Sequence, residues 1–275
     1  MTKTAEQEIS SGERFQFGEN WTYFLLLLND ERIAEAEKSL QQMLGMETLQ
    51  GKCFLDIGAG SGLFSLAARQ LGAKVHSFDY DTQSVACVQE LKRRYFPKDP
   101  DWKVETGSVL NADYVKALGQ FDIVYSWGVL HHTGAMWQAL ENTSALVCPG
   151  GKLFISIYND QGGKSRRWRM VKRAYNQLPE GLRFLILWPA FIRLWMPVAL
   201  YDLLQGRPFH TWKNYASCRG MSPWRDVVDW VGGYPFEVAK PEEIFYFYRD
   251  RGYRLEKLKT SIGIACNEFV FTHET

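Results

Sequence analysis

Residues 54 to 66, which read FLDIGAGSGLFSL, constrain the fold of this chain more than any other segment. An apolar run of strand type ends at Asp56, and a helical pattern begins a few residues later. The turn between them holds three glycines at alternate positions: Gly58, Gly60 and Gly62. Glycine lets the backbone approach a ligand closely, and the start of a helix offers unpaired N–H groups. The segment therefore predicts a strand, a ligand-binding turn and a helix.

The alternation of strand and helix continues along the chain. Strand-type runs occupy residues 53–57, 74–78, 102–105, 121–127 and 152–158, with helical patterns near 62–71, 82–94, 111–118 and 134–147. This alternation predicts a parallel sheet with helices on both faces. Two further strand-like runs, 253–259 and 268–272, indicate an antiparallel end. The predicted fold class is α/β: a doubly wound, mostly parallel seven-stranded sheet with an antiparallel last strand.

The alternation stops between residues 160 and 235, a segment rich in Trp, Arg, Phe and Pro that reads as helices and loops. We interpret it as a helical, aromatic-rich lid inserted beside the sheet edge. It holds six of the ten tryptophans. They form either an aromatic-walled pocket or the lid's own core.

Within the lid, residues 182–204 are apolar over a length that could span a membrane. The stretch also contains Arg183, Arg193, Asp202 and two prolines. An arginine near the middle of a span costs about 2.5–3.5 kcal/mol, so we predict no span. The stretch must be buried in the chain, in a dimer partner or on a membrane surface, and we favour the chain or a dimer.

The glycine turn does not match two common phosphate-binding motifs. A dinucleotide fingerprint needs glycine where this chain has Leu63, and a P-loop needs a Gly-Lys-Ser/Thr that does not follow. A nucleoside without phosphate remains, and S-adenosylmethionine fits because Asp56 can attract its ammonium group. Asp79 ends the second strand 23 residues later, where a carboxylate can accept both ribose hydroxyls. We expect Asp81 to start the next helix.

Five segments resemble, in order, the motifs of class I S-adenosylmethionine-dependent methyltransferases: FLDIGAGSG, VHSFDYD, ETGSVLNAD, FDIVYSWGVLHHTG and the Pro-Gly-Gly turn at 149–151. The resemblance covers about residues 50 to 160 and the terminal strand pair. Within that family the chain is similar to the small-molecule O-methyltransferases of quinone and natural-product biosynthesis. The resemblance is specific for fold and cofactor and weak for the acceptor.

The resemblance implies roles for individual residues. Those implied to line or flank the methionine end of the cofactor are Gly58, Ala59, Gly60, Ser126 and Trp127. Asp79 would hold the ribose, and Ser108 and Val109 would border the adenine, although the family often has an acid where Ser108 stands. Asn20 and Trp21 resemble an N-terminal segment that folds over the cofactor, while Trp21 can equally belong to the core.

Two histidines follow the fourth strand, at the edge where open α/β sheets bind ligands. Methyl transfer is an in-line displacement that depends mainly on alignment, and only a protonated acceptor needs a base. We predict His132 as that general base, with His131 as the second candidate. Alternatively, a histidine here only bonds backbone groups at a helix start. The nearby sequence SWGV lacks the Asn/Asp-Pro-Pro-aromatic pattern that grips a flipped nucleobase.

Four side chains are candidates for contacting the acceptor: Tyr158, Asn159, Tyr234 and Glu237. Each has a structural alternative, because Asn159 can begin a turn and the segment 232–237 can be one. The basic run KSRRWRMVKR at 164–173 is expected to be a solvated helix face, with phosphate or acidic-headgroup binding as the alternative. The packed face of that helix is predicted to hold Trp168, Val171, Tyr175 and Leu178.

The composition limits the kinds of binding partner and the cellular location that we expect for this chain. A net charge of +1 gives no general reason to bind nucleic acid. The five cysteines lack metal-binding spacing, so we expect a reducing compartment and no structural metal. The N-terminal residues lack the apolar core of a secretory signal, which favours a cytoplasmic location.

These observations divide the chain into four predicted segments. They are a helical cap over the cofactor at 1–50, the S-adenosylmethionine-binding core at 51–159, the lid at 160–235 and a final helix with two strands at 236–275. The predicted function is O-methylation of a small, partly apolar, hydroxylated acceptor. N-methylation of a small amine and a non-catalytic, cofactor-binding accessory role are the alternatives. A homodimer and a peripheral membrane contact remain open.

Overall fold

The computed structural model describes residues 4–219 and 223–274, with all side chains in these ranges except those of residues 19, 20, 22 and 216–219. The strands are β1 (Cys53–Ile57), β2 (Lys74–Asp79), β3 (Trp102–Thr106), β4 (Phe121–Trp127), β5 (Val147–Tyr158), β6 (Tyr253–Lys259) and β7 (Cys266–His273). They form one sheet in the order β3-β2-β1-β4-β5-β7-β6. β7 is antiparallel to β5 and to β6, whereas the other pairs are parallel. The predicted fold class is confirmed.

Helices cover both faces of the sheet and form the lid. They are α1 (Ala5–Ser10), α2 (Gly18–Leu26), α3 (Asp30–Leu44), α4 (Leu63–Gln70), α5 (Thr82–Tyr95), α6 (Ala112–Leu118), α7 (Met136–Ser144), α8 (Gly163–Gln177), α9 (Phe184–Leu204), α10 (His210–Arg219), α11 (Pro223–Gly232) and α12 (Pro241–Arg249). Short 3-10 turns lie at Leu130–His132 and Glu180–Leu182.

Local sequence explains where α3 begins and ends. The Asn29 side chain accepts a hydrogen bond from the Arg32 amide, which caps the first turn. Gly45 ends the helix with a φ of 68°, a left-handed conformation that favours glycine. One face of α3 is buried against α4 and the sheet, through residues that include Leu40 and Leu44.

The position of β1 determines where a ligand can bind. β1 pairs with β2 on one side and with β4 on the other, so the strand order reverses there. Its side chains alternate between two hydrophobic clusters, with Leu55 in one and Phe54 in the other. In open α/β sheets, ligands bind at the carboxyl ends of the strands at such a switch point.

The lid packs around a third hydrophobic cluster of its own. Helices α8, α9 and α11 meet there, through Tyr175, Leu187, Val227 and Val231. Residues 182–204 were expected to be buried within the chain or in a dimer, and burial within the chain is wrong. In α9 the buried residues are Leu187, Ala190 and Asp202, and the other side chains are partly or largely exposed. The helix is also long and apolar enough, by length and composition, to cross a membrane.

The predicted solvated face of α8 also needs correction, because Lys172 is fully buried. The buried face of α8 comprises Ser165, Lys172, Tyr175 and Asn176, which differs from the predicted set. Val171 and Leu178 are only partly buried. Lys172 is accommodated because aromatic rings and a backbone carbonyl surround its ammonium group, as described below.

Candidate active site

The glycine turn after β1 has the backbone geometry that its sequence predicts. Gly58 and Gly60 have φ values of 72° and 54°, which non-glycine residues rarely adopt. The amides of Gly58 and Ala59 both donate to the carbonyl of Phe78, which fixes the turn to the end of β2. A Cβ atom on Gly58 would lie 2.3 Å from a methyl carbon of Val129, so a side chain cannot fit there. The turn therefore presents bare backbone at the switch point.

Asp79 connects the glycine turn to the next strand. One carboxylate oxygen accepts the Gly60 amide and the other accepts the Asp81 amide, each at 2.9 Å. Burial is the main cause that raises the pKa of Asp79 to about 6, and these two amide bonds act against it. The carboxylate thus stands in a defined orientation at the sheet edge, where its remaining lone pairs can accept the hydroxyls of a ribose.

Asp56 lies beneath the turn and is engaged by protein groups. Ser65 of α4 donates to its carboxylate at 2.5 Å, and Ser65 also lies 2.7 Å from Ser77. Burial raises the pKa of Asp56 to about 7, the Ser65 bond opposes this, and Asp79 adds repulsion. The Asp56 side chain is 2 % exposed, so in this structure it supports the turn from below.

Helix α2 covers the glycine turn. Two indole atoms of Trp21 lie 3.1 Å from the point where a Gly60 Cβ would stand. The Gly18 amide donates to the Asp81 carboxylate at 2.9 Å, which attaches the start of α2 to the β2–α5 junction. Asp81 also accepts from Gln83 and caps α5, as expected. The predicted contact of Asn20 lies outside the described side chains.

These features fit a nucleoside cofactor. The glycine turn offers backbone where any Cβ would clash or strain, a buried carboxylate stands beside it, and an indole lies above it. Groups of this kind can contact a sugar and a planar base. If S-adenosylmethionine binds here, Gly58 to Gly60, Asp79 and Trp21 are the residues placed to hold it.

The remaining predicted cofactor residues contribute in different ways. Ser126 is fully buried and its hydroxyl donates to the Ile57 carbonyl, which ties β4 to β1. Trp127 is nearly half exposed at the end of β4. The Ser108 hydroxyl accepts from the Leu110 amide within a tight turn, and the Val109 side chain is buried in the core. The Ser108 hydroxyl still has its proton to donate, whereas Val109 can border an adenine only through its backbone.

His132 has a single defined tautomer. Its Nδ1 lies 2.6 Å from the Pro235 carbonyl oxygen, which can only accept, so Nδ1 carries the proton and Nε2 carries the lone pair. Burial is the main cause that lowers the pKa of His132 to about 3; the Pro235 hydrogen bond opposes this, and the nearby cations Lys172 and Arg14 add to it. The ring is neutral at ordinary pH. The bond to Pro235 is of the kind expected if the histidine only bonds backbone groups. It still leaves Nε2 available to accept a hydrogen bond.

His131 and Tyr158 pack together behind His132. Their ring centroids are 4.1 Å apart, and His131 is fully buried. Burial is the main cause that lowers the pKa of His131 well below the ordinary value, and a backbone group of Ser156 acts in the opposite direction. Burial likewise raises the pKa of the Tyr158 hydroxyl. Both groups are therefore neutral near physiological pH.

Lys172 is the group at this site that the sequence interpretation missed. Its ammonium donates to the Trp230 carbonyl and lies 4.6 and 4.9 Å from the ring centroids of Trp230 and Phe236. Burial lowers its pKa to about 7, and Asp229 acts in the opposite direction. The run of basic residues around it gave no sign of burial, because the rings that surround it come from distant sequence.

Two of the predicted acceptor contacts have structural partners. The Asn159 amide lies within hydrogen-bond distance of the Ser261 and Gly263 carbonyls, in the turn between β6 and β7. Glu237 accepts the Met136 amide at 3.0 Å and so caps α7. Tyr234 precedes a cis proline, and its carbonyl accepts the Phe15 amide. Tyr158 is the one of the four whose ring lies against both histidines.

An open cavity of about 730 Å³ lies between the N-terminal segment, α8 and α11. None of its lining residues belongs to the glycine turn or to a strand end. Arg14 connects the two regions, because it lines the cavity and donates to the His132 carbonyl at 3.0 Å. The glycine turn and His132 therefore lie beside this cavity and not in its lining.

Comparisons with known proteins agree with this geometry. Residues 55–153 match a family model described as a methyltransferase domain. The chain is 30% identical over 159 residues to a ubiquinone biosynthesis O-methyltransferase of Coxiella burnetii, which is 57% of this chain and 62% of that protein. A Brucella ovis protein of the same name is 33% identical over 111 residues, 40% of this chain and 43% of that protein. The chain thus spans less than two thirds of these relatives.

Solved structures show the same fold at low sequence identity. Magnesium protoporphyrin IX methyltransferase from Synechocystis with bound SAH has a TM-score of 0.52 and 13% identity, covering 88% of this chain and 83% of that chain. An O-methyltransferase family protein from Burkholderia thailandensis has a TM-score of 0.50 and 10% identity, covering 82% and 52%. At these identities the likeness concerns the fold.

Proposed function

We propose that this chain, whose residues 55–153 form a class I S-adenosylmethionine-dependent methyltransferase domain, methylates a hydroxyl of a small, partly apolar acceptor. The single observation that carries O-methylation is the position and tautomer of His132. Val129, three residues earlier, contacts the glycine turn, so the Leu130–His132 turn begins at the cofactor site. A fixed Nε2 lone pair beside that site can accept the proton of a hydroxyl.

The cofactor supplies a methyl group already activated by a positive sulfonium. The chain's residues then have three tasks. Asp79 and the glycine turn hold the nucleoside, Trp21 excludes water from above, and His132 accepts a hydrogen bond from the acceptor hydroxyl. When the acceptor oxygen takes the methyl group that bound S-adenosylmethionine would supply, Nε2 of His132 would accept the hydroxyl proton. Alignment of this kind contributes about 7–11 kcal/mol in well-oriented reactions.

The surroundings of His132 support an acceptor with an apolar part. Phe17 and Tyr158 lie 5.0 and 5.5 Å from its ring, and Phe236 packs on Tyr158. A pocket lined by such rings favours a planar or apolar molecule. The names of the Coxiella and Brucella relatives place their acceptors in ubiquinone biosynthesis, which supports a hydroxylated, partly apolar class.

The experiment supplies S-adenosylmethionine with a deuterated methyl group to the purified chain, together with a lipid extract or a water-soluble extract of the producing cells. Mass spectrometry then identifies the labelled products. We expect label on the oxygen of an apolar molecule, and loss of that label with His132→Ala. Label on nitrogen only would contradict the proposal. Binding of S-adenosylhomocysteine without any labelled product would instead support an accessory role.

N-methylation is the second candidate, and one observation favours it. With its pKa lowered to about 3, His132 is a weak base. A neutral amine has its own lone pair and needs no base before attack. The rate with an amine acceptor would then be insensitive to His132→Ala, which separates the two reactions.

A further inference from the structure

Helix α9 exposes an apolar face that the rest of the described chain does not cover. At every fourth position the helix carries a large apolar side chain that is more than half exposed: Phe184, Trp188, Ile192, Met196, Leu200 and Leu204. Ordinary soluble surfaces scatter such residues singly, whereas a contiguous row indicates an interaction site. This face is independent of the cofactor site and of the reaction proposed for it.

The opposite side of α9 is fastened to the lid. Leu187 and Ala190 pack in the hydrophobic cluster with Val227 of α11. The buried Asp202 carboxylate accepts the Thr211 amide and hydroxyl, each at 2.7 Å, and so ties α9 to α10. A helix crossing a bilayer would lose these contacts, so α9 is suited to lie along a surface.

The charge around α9 identifies the kind of surface. Between residues 163 and 215, ten basic side chains stand against two acidic ones, while the whole chain carries a net charge of only +1. One of the two acids, Asp202, and one of the ten bases, Lys172, are buried, which leaves nine bases and one acid. Exposed basic residues include Arg166, Arg167 and Arg173 of α8, which packs in the same cluster as α9, and Arg193 within the apolar face. The segment is therefore complementary to an anionic partner.

We infer that the exposed face of α9, together with the basic side chains of α8, docks on an anionic lipid bilayer with the helix lying in the interface. Apolar side chains enter the acyl boundary, and arginine can extend its charge to the headgroups. Trp188 and the exposed Tyr201 are of the types enriched at this depth. A second copy of the chain fits less well, because pairing the same face twice brings like charges together.

The test is flotation of the full chain with vesicles of phosphatidylcholine alone and of phosphatidylcholine mixed with phosphatidylglycerol. We expect binding to the mixed vesicles that weakens with added salt. The double variant Ile192→Glu/Met196→Glu should lower the vesicle-bound fraction by about tenfold or more, because it places charge at the acyl boundary. Arg166→Glu/Arg167→Glu should also weaken binding.

Ile262→Glu is the matched control, because Ile262 is fully exposed in the turn between β6 and β7. It should bind mixed vesicles like the parent chain. Unchanged thermal unfolding and S-adenosylhomocysteine binding in every variant show that the fold is intact. Equal binding to both vesicle types, or equal binding by the Ile192→Glu/Met196→Glu variant, would overturn the inference. So would a stable dimer, found by light scattering without vesicles, that this variant dissociates.

Discussion

The Asp79 carboxylate accepts the Gly60 amide at 2.9 Å, so the acid at the end of β2 is joined to the glycine turn after β1. One side chain thereby shapes the turn and faces the space above it. Removal of the Asp79 charge should affect the cofactor more than the fold, since neighbouring turn amides keep their bonds to the Phe78 carbonyl.

Asp79→Asn should weaken S-adenosylhomocysteine binding by about tenfold or more, because charge-assisted bonds contribute about 1.5–3 kcal/mol each. Isothermal titration calorimetry measures the change. Asp113→Asn, at an exposed position in the first turn of α6, is the control and should bind normally. Equal affinity of the two variants would remove Asp79 from the ribose site.

His132→Ala should lower turnover of a hydroxyl acceptor roughly a hundredfold while leaving cofactor affinity unchanged. The exposed His210→Ala is the control. Because the pKa of His132 is lowered to about 3, its ring stays neutral between pH 5 and 8, and a rate that needs the neutral form should show no inflection in this range. A His132-dependent inflection near the ordinary histidine pKa of about 6.5 would contradict this environment.

Glu237→Gln should destabilise the fold by about 1 kcal/mol, because it weakens the charged cap on α7. Chemical denaturation measures this loss. If the role of Glu237 is structural, the KM for the acceptor stays at the parent value. A raised KM with unaltered stability would indicate that Glu237 contacts the acceptor, as the sequence analysis predicts.

Asp56 should make the stability fall as the pH rises. Its pKa is raised to about 7 in the folded chain against about 3.8 when unfolded, so the folded state holds the extra proton between these values. The free energy of unfolding of the parent chain should therefore decline relative to Asp56→Asn across that window. The limit is about 4 kcal/mol, since each pKa unit corresponds to about 1.4 kcal/mol. If the free energies of unfolding of the two chains changed with pH in parallel, the pKa of Asp56 would not be raised in the folded chain.

Lys172 should make the folded chain more stable as the pH rises above 7, which is the opposite of the effect of Asp56. Its folded pKa of about 7 lies below the ordinary 10.5, so the unfolded chain binds the extra proton between these values. The parent chain should gain stability relative to Lys172→Met as the pH rises from 7 towards 10. Thermal unfolding across this range measures the difference. A constant difference would mean that the buried amine stays charged.

Local patterns were enough to predict the sheet, the glycine turn and the start of α5 at Asp81, because each depends on residues close together in sequence. Lys172 and α9 were different. The burial of Lys172 depends on Trp230 and Phe236, about sixty residues away, and a basic run ordinarily indicates a solvated face. The apolar composition of residues 182–204 indicates that the stretch is covered in use. It does not indicate whether other parts of the chain, a partner or a membrane covers it. The hydrogen-bond partners of Asn159 and Glu237 likewise come from distant loops.

The covering of Gly60 by Trp21 has a kinetic consequence. The Trp21 indole lies in contact with Gly60, so a nucleoside can reach this part of the turn only when α2 moves, and the start of α2 is attached through Gly18 to Asp81. Release of the spent cofactor then requires the same movement of α2. Rapid mixing should show a burst of methylated product in the first turnover, followed by a slower steady rate set by the opening of α2.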